Sequence, residues 1–415
     1  MTRAFWRSFG PGLLWAAAAI GVSHLVQSTR AGASAGFALW WVILLALLLK
    51  YPFFEYGPRY ASATGESLVE GYRRIGKWAL WVYVGITVST ALIIQVAVVL
   101  FTAFLFQYVF GLPWSLPTVT GVLIAGCAAL LAVGRFRALD ATIKVVLVFL
   151  ALSTLLAAAV SLPRVEVATL VPWPISDPGA VAFPFLLALV GWMPSAIDIS
   201  VWSSLWTLAK DRVSGSRASV HDALLDFRIG YVATGFLAFA FVALGAAVMH
   251  RSGAEFSAQG TAFSVQLVDL YGQSLGAWTR PIVLVAVVTT MFSTSLSVID
   301  GFPRALARSF SVLRSDDPDA GGDDTRAYWI AVAVLGVLTV AVVSQLASSL
   351  TRLVDFATIV SFITAPVLGY LNLRAVRAPH VPREHQPGPR LVALSYLGLA
   401  LLGGTALVYA VWLLR

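Results

Sequence analysis

The segment from Gly10 to Gly36, GPGLLWAAAAIGVSHLVQSTRAGASAG, decides the fold of this chain. Its apolar run is interrupted at GVSH, residues 21–24, and then resumes for about two turns. A second apolar run, residues 183–208, is interrupted in the same way at GWMPS, residues 191–195. Non-helical backbone at membrane depth is tolerated only where it is buried in protein or lines a cavity, because unpaired amides in hydrocarbon cost several kcal/mol. The two breaks therefore predict a binding site between two discontinuous helices.

The composition indicates a membrane protein with many spanning helices. Of the 415 residues, 59% are hydrophobic and 12% are charged, and the mean hydropathy is +0.84. The net charge of +8 arises from basic residues in short loops between apolar runs, which indicates membrane topology and excludes a nucleic-acid-binding face. The single cysteine, Cys127, excludes an internal disulfide.

Apolar stretches long enough to cross about 30 Å of hydrocarbon predict eleven helices in one transmembrane domain, residues 1–415. They lie at residues 11–31, 37–57, 79–109, 116–134, 142–162, 180–208, 229–250, 280–302, 327–347, 353–373 and 391–414. Each consecutive set of five begins with a broken helix, so we predict an inverted repeat with halves at residues 1–162 and 180–373. The helix at residues 391–414 is an addition outside the repeat.

The loop charges predict the orientation in the membrane. Basic residues, with Lys50 counted among them, lie mostly on one side of the predicted helices, and the positive-inside rule makes that side cytoplasmic. We therefore expect a multi-pass protein of the cell inner (plasma) membrane with a cytoplasmic N-terminus and an extracytoplasmic C-terminus. The N-terminus resembles a signal peptide, but a short apolar run that ends in a break also indicates a discontinuous first helix, which we favour.

Several short motifs along the chain are characteristic of one family. GPG at residues 10–12 is followed at the same spacing by the segments at residues 21–24 and 30–33, and MPS at residues 193–195 stands in the sixth helix. RYASATG at residues 59–65, RALD at residues 137–140 and DGF at residues 300–302 are further examples. These segments resemble the NRAMP family (natural resistance-associated macrophage proteins) of proton-coupled divalent metal transporters. The resemblance implies an all-helical LeuT fold with helices one and six broken.

The resemblance fails at the positions that hold the metal ion in that family. The family's DPGN motif is absent, so that its metal-binding aspartate corresponds to Gly21 and its asparagine to His24. Two histidines of helix six and a glutamine of helix ten correspond to Ser195, Ser200 and Thr364, and only the methionine is retained, as Met193.

Loss of the aspartate predicts a change in the charge of the substrate. Divalent cations such as Mn²⁺ and Mg²⁺ prefer carboxylate, carbonyl and water ligands, and a charge buried in the membrane without compensation costs at least about 3 kcal/mol. Helix N-termini and hydroxyl groups, which remain at the breaks, bind anions. We therefore predict a small inorganic anion, with bicarbonate first and nitrate or formate as alternatives. The predicted substrate site comprises Gly21, Val22, Ser23, His24, Gly191, Trp192, Met193, Pro194, Ser195 and Thr364.

A coupling cation, Na⁺ or H⁺, is predicted to accompany the anion. Asp198 lies one helical turn after Ser195, and a carboxylate within a membrane span is a functional candidate by default. Arg30 either attracts the anion or anchors its helix. The candidate coupling or gating residues are Gln27, Arg30, Asp198, Ser200 and Asp300.

Other interpretations stay open. A divergent transporter of Mn²⁺, Fe²⁺ or Mg²⁺ with ligands from elsewhere is the main alternative, and His24 with Met193 also suits Cu(I). His24, Ser195 and Asp198 have the composition of a hydrolase triad, but nothing in their spacing establishes contact and no HExxH motif occurs. A sensor without transport activity on the same scaffold is a further alternative. We expect no enzyme activity, no cofactor, no resident metal, no nucleic acid and no obligate protein partner; the bilayer, the anion and the coupling cation are the predicted partners.

Overall fold

The computed structural model describes residues 9–173, 181–250, 256–257, 260–315, 324–346 and 350–414. Every regular element in these ranges is a helix. The α-helices are α1 (Pro11–Ala19), α2 (Thr29–Ala35), α3 (Trp40–Thr64), α4 (Leu68–Ile75), α5 (Lys77–Phe110), α6 (Leu116–Ser161), α7 (Phe183–Gly191), α8 (Ile199–Ser214), α9 (Val220–Val248), α10 (Gly260–Leu275), α11 (Arg280–Arg314), α12 (Thr325–Leu346), α13 (Leu350–Val376) and α14 (Pro389–Leu413). Within the described part, six apolar helical segments are long enough to cross a membrane.

The first predicted helix is broken in the structure. Helix α1 begins at Pro11, whose fixed φ and missing N–H suit the first turn of a helix, and it ends at Ala19. After the break at Ile20 and Gly21, the chain continues as a π-helix, Ser23–Ser28, and then as α2. Gly36, with a φ of +59°, ends α2 in the left-handed region that glycine adopts without a steric cost.

The second break separates α7 from α8. Helix α7 ends at Gly191, and residues 192–198 are not helical before α8 begins at Ile199. Pro194 contributes to the break, because a proline cannot donate the backbone hydrogen bond that would continue α7. Both breaks lie where the apolar runs are interrupted in the sequence.

Helix α6 differs from its prediction. Residues 116–134 and 142–162 were expected as two spans, whereas the structure has one continuous helix of 46 residues, Leu116–Ser161. The charges at residues 135–140 suggested a loop, but this segment contains no proline and no glycine that would interrupt a helix.

Both halves of the first broken helix pack on α9 through glycines. A Cβ atom on Gly12 or on Gly230 would lie 2.2 or 2.3 Å from a backbone oxygen of the facing helix. The same holds farther along for Gly32 and Gly245, at 2.1 and 2.2 Å. Small residues allow helix backbones in membranes to approach this closely. No larger residue fits at these four positions without moving α9.

Asp226 of α9 caps the start of α1. Its Oδ2 atom accepts hydrogen bonds from the backbone N–H groups of Gly12 (2.8 Å) and Gly10 (3.2 Å). A carboxylate at a helix N-terminus satisfies otherwise unpaired donors and interacts favourably with the helix dipole. The GPG segment at residues 10–12 is therefore a docking element for α9.

Candidate functional site: a cavity between the two helix breaks

A small cavity lies between the two helix breaks. Its volume is about 30 Å³, and a water molecule needs about 10–15 Å³ on this scale. In this conformation the cavity has room for an ion of a few atoms. Its walls come from both breaks and from α5 and α11, and they comprise Ala18, Ala19, Val22, Ser23, Ile94, Val98, Trp192, Ser195, Ala196, Asp198, Ile199, Trp202, Thr294, Val298 and Phe302.

Asp198 places a carboxylate without a hydrogen-bond partner in the wall of this cavity. The residue is 1% exposed, and neither carboxyl oxygen has a partner among the described residues. Asp198 occupies the N-cap position of α8 but makes no side-chain cap hydrogen bond, which an aspartate at this position ordinarily makes. A buried carboxylate left in this state is expected to bind a proton or a cation.

Polar groups of α4 and α5 lie near Asp198. The hydroxyl groups of Tyr72 and Tyr83 are close enough to its carboxylate to interact with it electrostatically. The Tyr83 hydroxyl and the neighbouring Thr87 Oγ1 atom are both buried. Tyr72 instead donates to the Asn372 side chain. The side of Asp198 that faces α5 is therefore polar, although α5 is a strongly apolar helix.

Thr294 of α11 fills the space beside Gly21. A Cβ atom on Gly21 would lie 2.6 Å from Thr294 Cγ2 and 2.7 Å from Thr294 Oγ1. The Thr294 hydroxyl also lies 3.2 Å from the Ala17 carbonyl oxygen and 3.3 Å from that of Ile20, at the end of α1. The position where the resemblance implies a metal-binding aspartate therefore has no room for a side chain.

Lys50 of α3 binds the backbone of the second break. Its Nζ atom lies 2.9 Å from the Val190 carbonyl oxygen, 2.8 Å from that of Gly191, 3.1 Å from that of Met193 and 2.9 Å from that of Ser195. The residue is fully buried. Its interpretation as a loop charge on the cytoplasmic side is therefore wrong, because the apolar run around it continues as α3 on both sides of the lysine.

His24 holds the first break in place and lies outside the cavity wall. Its Nε2 atom donates to the Thr234 carbonyl oxygen of α9 at 3.0 Å. Its Nδ1 atom lies 2.7 Å from Ser23 Oγ, and that hydroxyl lies 2.5 Å from the Ala19 carbonyl oxygen. Ser23, which lines the cavity, is thus the link between His24 and the substrate space.

Gln27 and Arg30 form a cluster with Asp355 of α13. Arg30 pairs with the Asp355 carboxylate through two hydrogen bonds of 2.6 and 3.1 Å. Gln27 Nε2 donates to the same carboxylate at 3.0 Å. The Arg30 guanidinium also lies 4.9 Å from the ring centre of Phe185 in α7. This cluster joins the end of the π-helix and the start of α2 to α13.

Of the other predicted residues, some line the cavity and some lie outside its wall. Trp192 lines the cavity, and its Nε1 atom donates to Ser361 Oγ at 2.8 Å. Thr364 Oγ1 donates within its own helix and lies outside the cavity wall. The Ser200 hydroxyl accepts a hydrogen bond of 2.8 Å from Asn372. The side chains of Met193 and Pro194 also lie outside the wall; Met193 contributes its carbonyl oxygen to Lys50.

Asp300 has several partners and lies apart from the cavity. Its carboxylate accepts hydrogen bonds from Arg304 at 2.6 and 3.0 Å, from Trp206 Nε1 at 2.9 Å and from the Tyr328 hydroxyl at 3.0 Å. These bonds join α8, α11 and α12. Of the two aspartates predicted as coupling residues, only Asp198 lines the cavity.

Among the polar residues that shape the site, Lys50, Thr294 and Asp355 were not predicted as site residues from the sequence. A lysine in the middle of an apolar run was the available signal for the first. A threonine or an aspartate on a distant helix gives no local signal, because its contact with a break depends on tertiary packing.

Comparisons with known proteins agree with this architecture. The sequence model of a family described as "Natural resistance-associated macrophage protein-like" matches residues 12–412. An uncharacterized protein of Pasteurella multocida (strain Pm70) is 33% identical over 98% of this chain and 93% of its own length.

Solved structures show the same fold. A mutant form of a manganese transporter of Eremococcus coleocola superposes with a TM-score of 0.73 over 99% of this chain and 88% of its own, at 14% identity. MhsT in complex with L-phenylalanine gives a TM-score of 0.62 over 96% of this chain and 97% of its own, at 15% identity. The predicted all-helical LeuT fold is confirmed.

Proposed function

The chain belongs to the natural resistance-associated macrophage protein-like family, and from this premise we propose that it transports a small anion together with a proton. The family and the fold identify it as a multi-pass membrane protein and a secondary transporter, not an enzyme. Bicarbonate is the substrate that we propose first. The proposed substrate space is the cavity between the breaks, with Val22, Ser23, Trp192 and Ser195 in its wall.

The anion proposal rests on the lack of space for a side chain at position 21. Thr294 occupies the volume that a side chain at position 21 requires. Asp198 is then the only carboxylate in the described wall of the cavity. The described residues also contain no group of three histidine, cysteine, aspartate or glutamate side chains placed to hold a metal ion. A dication at this position retains a net charge, which is costly in the membrane.

Asp198 supports coupling to protons. When its carboxylate is charged, it repels an anion in the cavity that it lines. When it is protonated, the repulsion is removed and the new O–H group is a hydrogen-bond donor to the anion. Anion and proton therefore favour each other's binding, which is the thermodynamic requirement for symport.

We propose the orientation that the loop charges predict, in the inner membrane, with a cytoplasmic N-terminus. On this assignment Arg30 and Asp355 lie on the outer side of the cavity. Their ion pair joins α2 to α13, and the Arg30 and Asp355 side chains are only 20% and 30% exposed. The proposed role of this pair is to close the outer access route.

Loosening this pair is expected to open the outer route. A partly exposed ion pair contributes about 0.2–1 kcal/mol, so Asp355→Asn should increase access by at most about fivefold. The measurement is the rate at which a methanethiosulfonate reagent labels Ser195→Cys, with Cys127→Ser as the background. Asp222→Asn on α9 is the matched control. An unchanged labelling rate in Asp355→Asn contradicts the gating role.

The proposed function is tested with the purified chain in proteoliposomes. An inward proton gradient should drive uptake of ¹⁴C-bicarbonate above the level in empty vesicles, which report the background of permeating CO₂. Nitrate and formate should be tested as competitors, since the cavity suits any planar anion of a few atoms. Removal of Na⁺ should leave uptake unchanged. Uptake at the level of empty vesicles for all three anions overturns the proposal.

Divalent metal transport is the second candidate. Asp198 favours it, because a free carboxylate in the cavity is a ligand for a hard cation. One of the solved structures with the same fold is named a manganese transporter. Quenching of a dye inside the same proteoliposomes by Mn²⁺ is the measurement. Mn²⁺ entry without anion uptake establishes this alternative.

A further inference from the structure

The ammonium group of Lys50 lies in a cage of backbone oxygens at the second break. Four carbonyl oxygens, from residues 190, 191, 193 and 195, lie 2.8–3.1 Å from Nζ. An ammonium group has three N–H donors and no acceptor, whereas a neutral amine directs a lone pair at one of its neighbours. Four converging acceptors therefore favour the charged form of the lysine.

The cage coincides with the C-terminal end of α7. The carbonyl groups of Val190 and Gly191 belong to the last turn of this helix, where the negative end of the helix dipole attracts a cation. Carbonyl groups of unwound helices commonly bind soluble coupling cations in transporters. In this chain a tethered cation already occupies them.

One residue of the cage, Ser195, also borders the cavity. Ser195, whose carbonyl oxygen lies 2.9 Å from Nζ, lines the cavity, as does Trp192. None of the ion pairs among the described residues includes Lys50, so no carboxylate neutralises it at close range. Two charged groups lie in this region. The Lys50 ammonium contacts the Ser195 carbonyl oxygen, and the Asp198 carboxylate lines the cavity.

We infer that Lys50 is the fixed positive charge of the substrate site and selects a monovalent anion. The inference rests on the proposed function and names the residue that determines the charge of its substrate. With Asp198 protonated, the site carries one positive charge, and binding of a monovalent anion makes it neutral. With Asp198 charged, the site is neutral already and a dication has no net attraction.

The variant Lys50→Gln distinguishes the effect of the lysine's positive charge from the effect of its hydrogen bonds to the four carbonyl oxygens. Glutamine retains two N–H donors for the carbonyl cage but removes the positive charge. We expect a folded protein whose affinity for bicarbonate or nitrate, measured by titration calorimetry of the purified chain, falls at least about tenfold. Lys77→Gln, at an exposed position in α5, is the matched control and should bind normally. Unchanged anion affinity in Lys50→Gln reduces Lys50 to a structural cap and overturns the inference.

Lys50→Ala tests the cage independently of transport. Methylammonium chloride should raise the melting temperature of this variant by several degrees and restore anion affinity, whereas tetramethylammonium chloride, which has no N–H donor, should do neither. Wild-type protein should not respond, because its cage is occupied. If methylammonium has no effect on the variant, the cage does not bind a cation and the inference fails. If wild-type protein binds no anion while the variant still responds to methylammonium, the proposed anion transport is wrong, although the carbonyl cage does bind a cation.

Discussion

Asp198→Asn is expected to abolish proton-driven accumulation of the anion while anion binding persists. Asparagine imitates the protonated carboxyl group in shape and carries no charge at any pH. Two unit charges about 6 Å apart in a protein of effective dielectric 20 interact by about 3 kcal/mol, roughly a hundredfold in affinity. The variant should therefore bind the anion with a pH-independent affinity, up to about a hundredfold tighter than wild-type protein at high pH.

The measurements are anion affinity against pH and accumulation in proteoliposomes under an inward proton gradient. Folding should not suffer, since neither carboxyl oxygen has a hydrogen-bond partner to lose in the part of the chain that the structure describes. Asp222→Asn makes the same chemical change near the start of α9, and it should accumulate the anion normally. If Asp198→Asn accumulates the anion as fully as wild-type protein under the gradient, Asp198 is not the coupling residue. Mn²⁺ uptake by wild-type protein that disappears in this variant favours the metal transporter.

Gly21→Asp is expected to destabilise the protein strongly, although it restores the residue that the family resemblance implies. Its Cβ atom meets the Thr294 side chain at 2.6 Å, and overpacking of this kind typically costs about 1–3 kcal/mol. Combination with Thr294→Ala removes the Cγ2 and Oγ1 atoms and leaves only Thr294 Cβ, at 3.1 Å. The double variant should recover most of the lost stability and gain a second carboxylate in the cavity.

Thermal unfolding and Mn²⁺ binding are the two measurements. Gly21→Asp with Thr294→Ala should bind Mn²⁺ at least about tenfold more tightly than wild-type protein, because a second carboxylate compensates the remaining charge. Thr294→Ala alone is the control, and it should not gain affinity for Mn²⁺. A stable Gly21→Asp single variant contradicts the steric account. Tight Mn²⁺ binding by wild-type protein contradicts the argument from charge.

The breaks were predictable because their signal is local. Glycine and proline interrupt an apolar run at residues 21 and 194, and the structure ends α1 and α7 close to these positions. Asp198 was predictable for a similar reason, since a single carboxylate stands out in an apolar run. The continuous helix α6 was not, because charged residues at 135–140 suggested a loop where nothing prevents a helix.

The contents of the site were less predictable. Lys50 was counted with the loops, because a sequence pattern does not show that four carbonyl groups of a distant helix break face one lysine. His24 was predicted as a substrate ligand from its place in the break. The rotation of the π-helix directs its ring toward Thr234 of α9 instead, and Ser23 takes the position at the cavity. Side-chain direction at a break depends on backbone geometry that residue types do not specify.

The glycine contacts along α9 hold both halves of the broken first helix against one continuous helix. Gly230 is seated against α1 and Gly245 against α2, on opposite sides of the break. Bending the first helix at its gap would unseat one of these contacts or bend α9 with it. The discontinuity between Ala19 and Ser23 is therefore a rigid joint, and the flexing that exposes the cavity to each side of the membrane must arise at other places in the molecule.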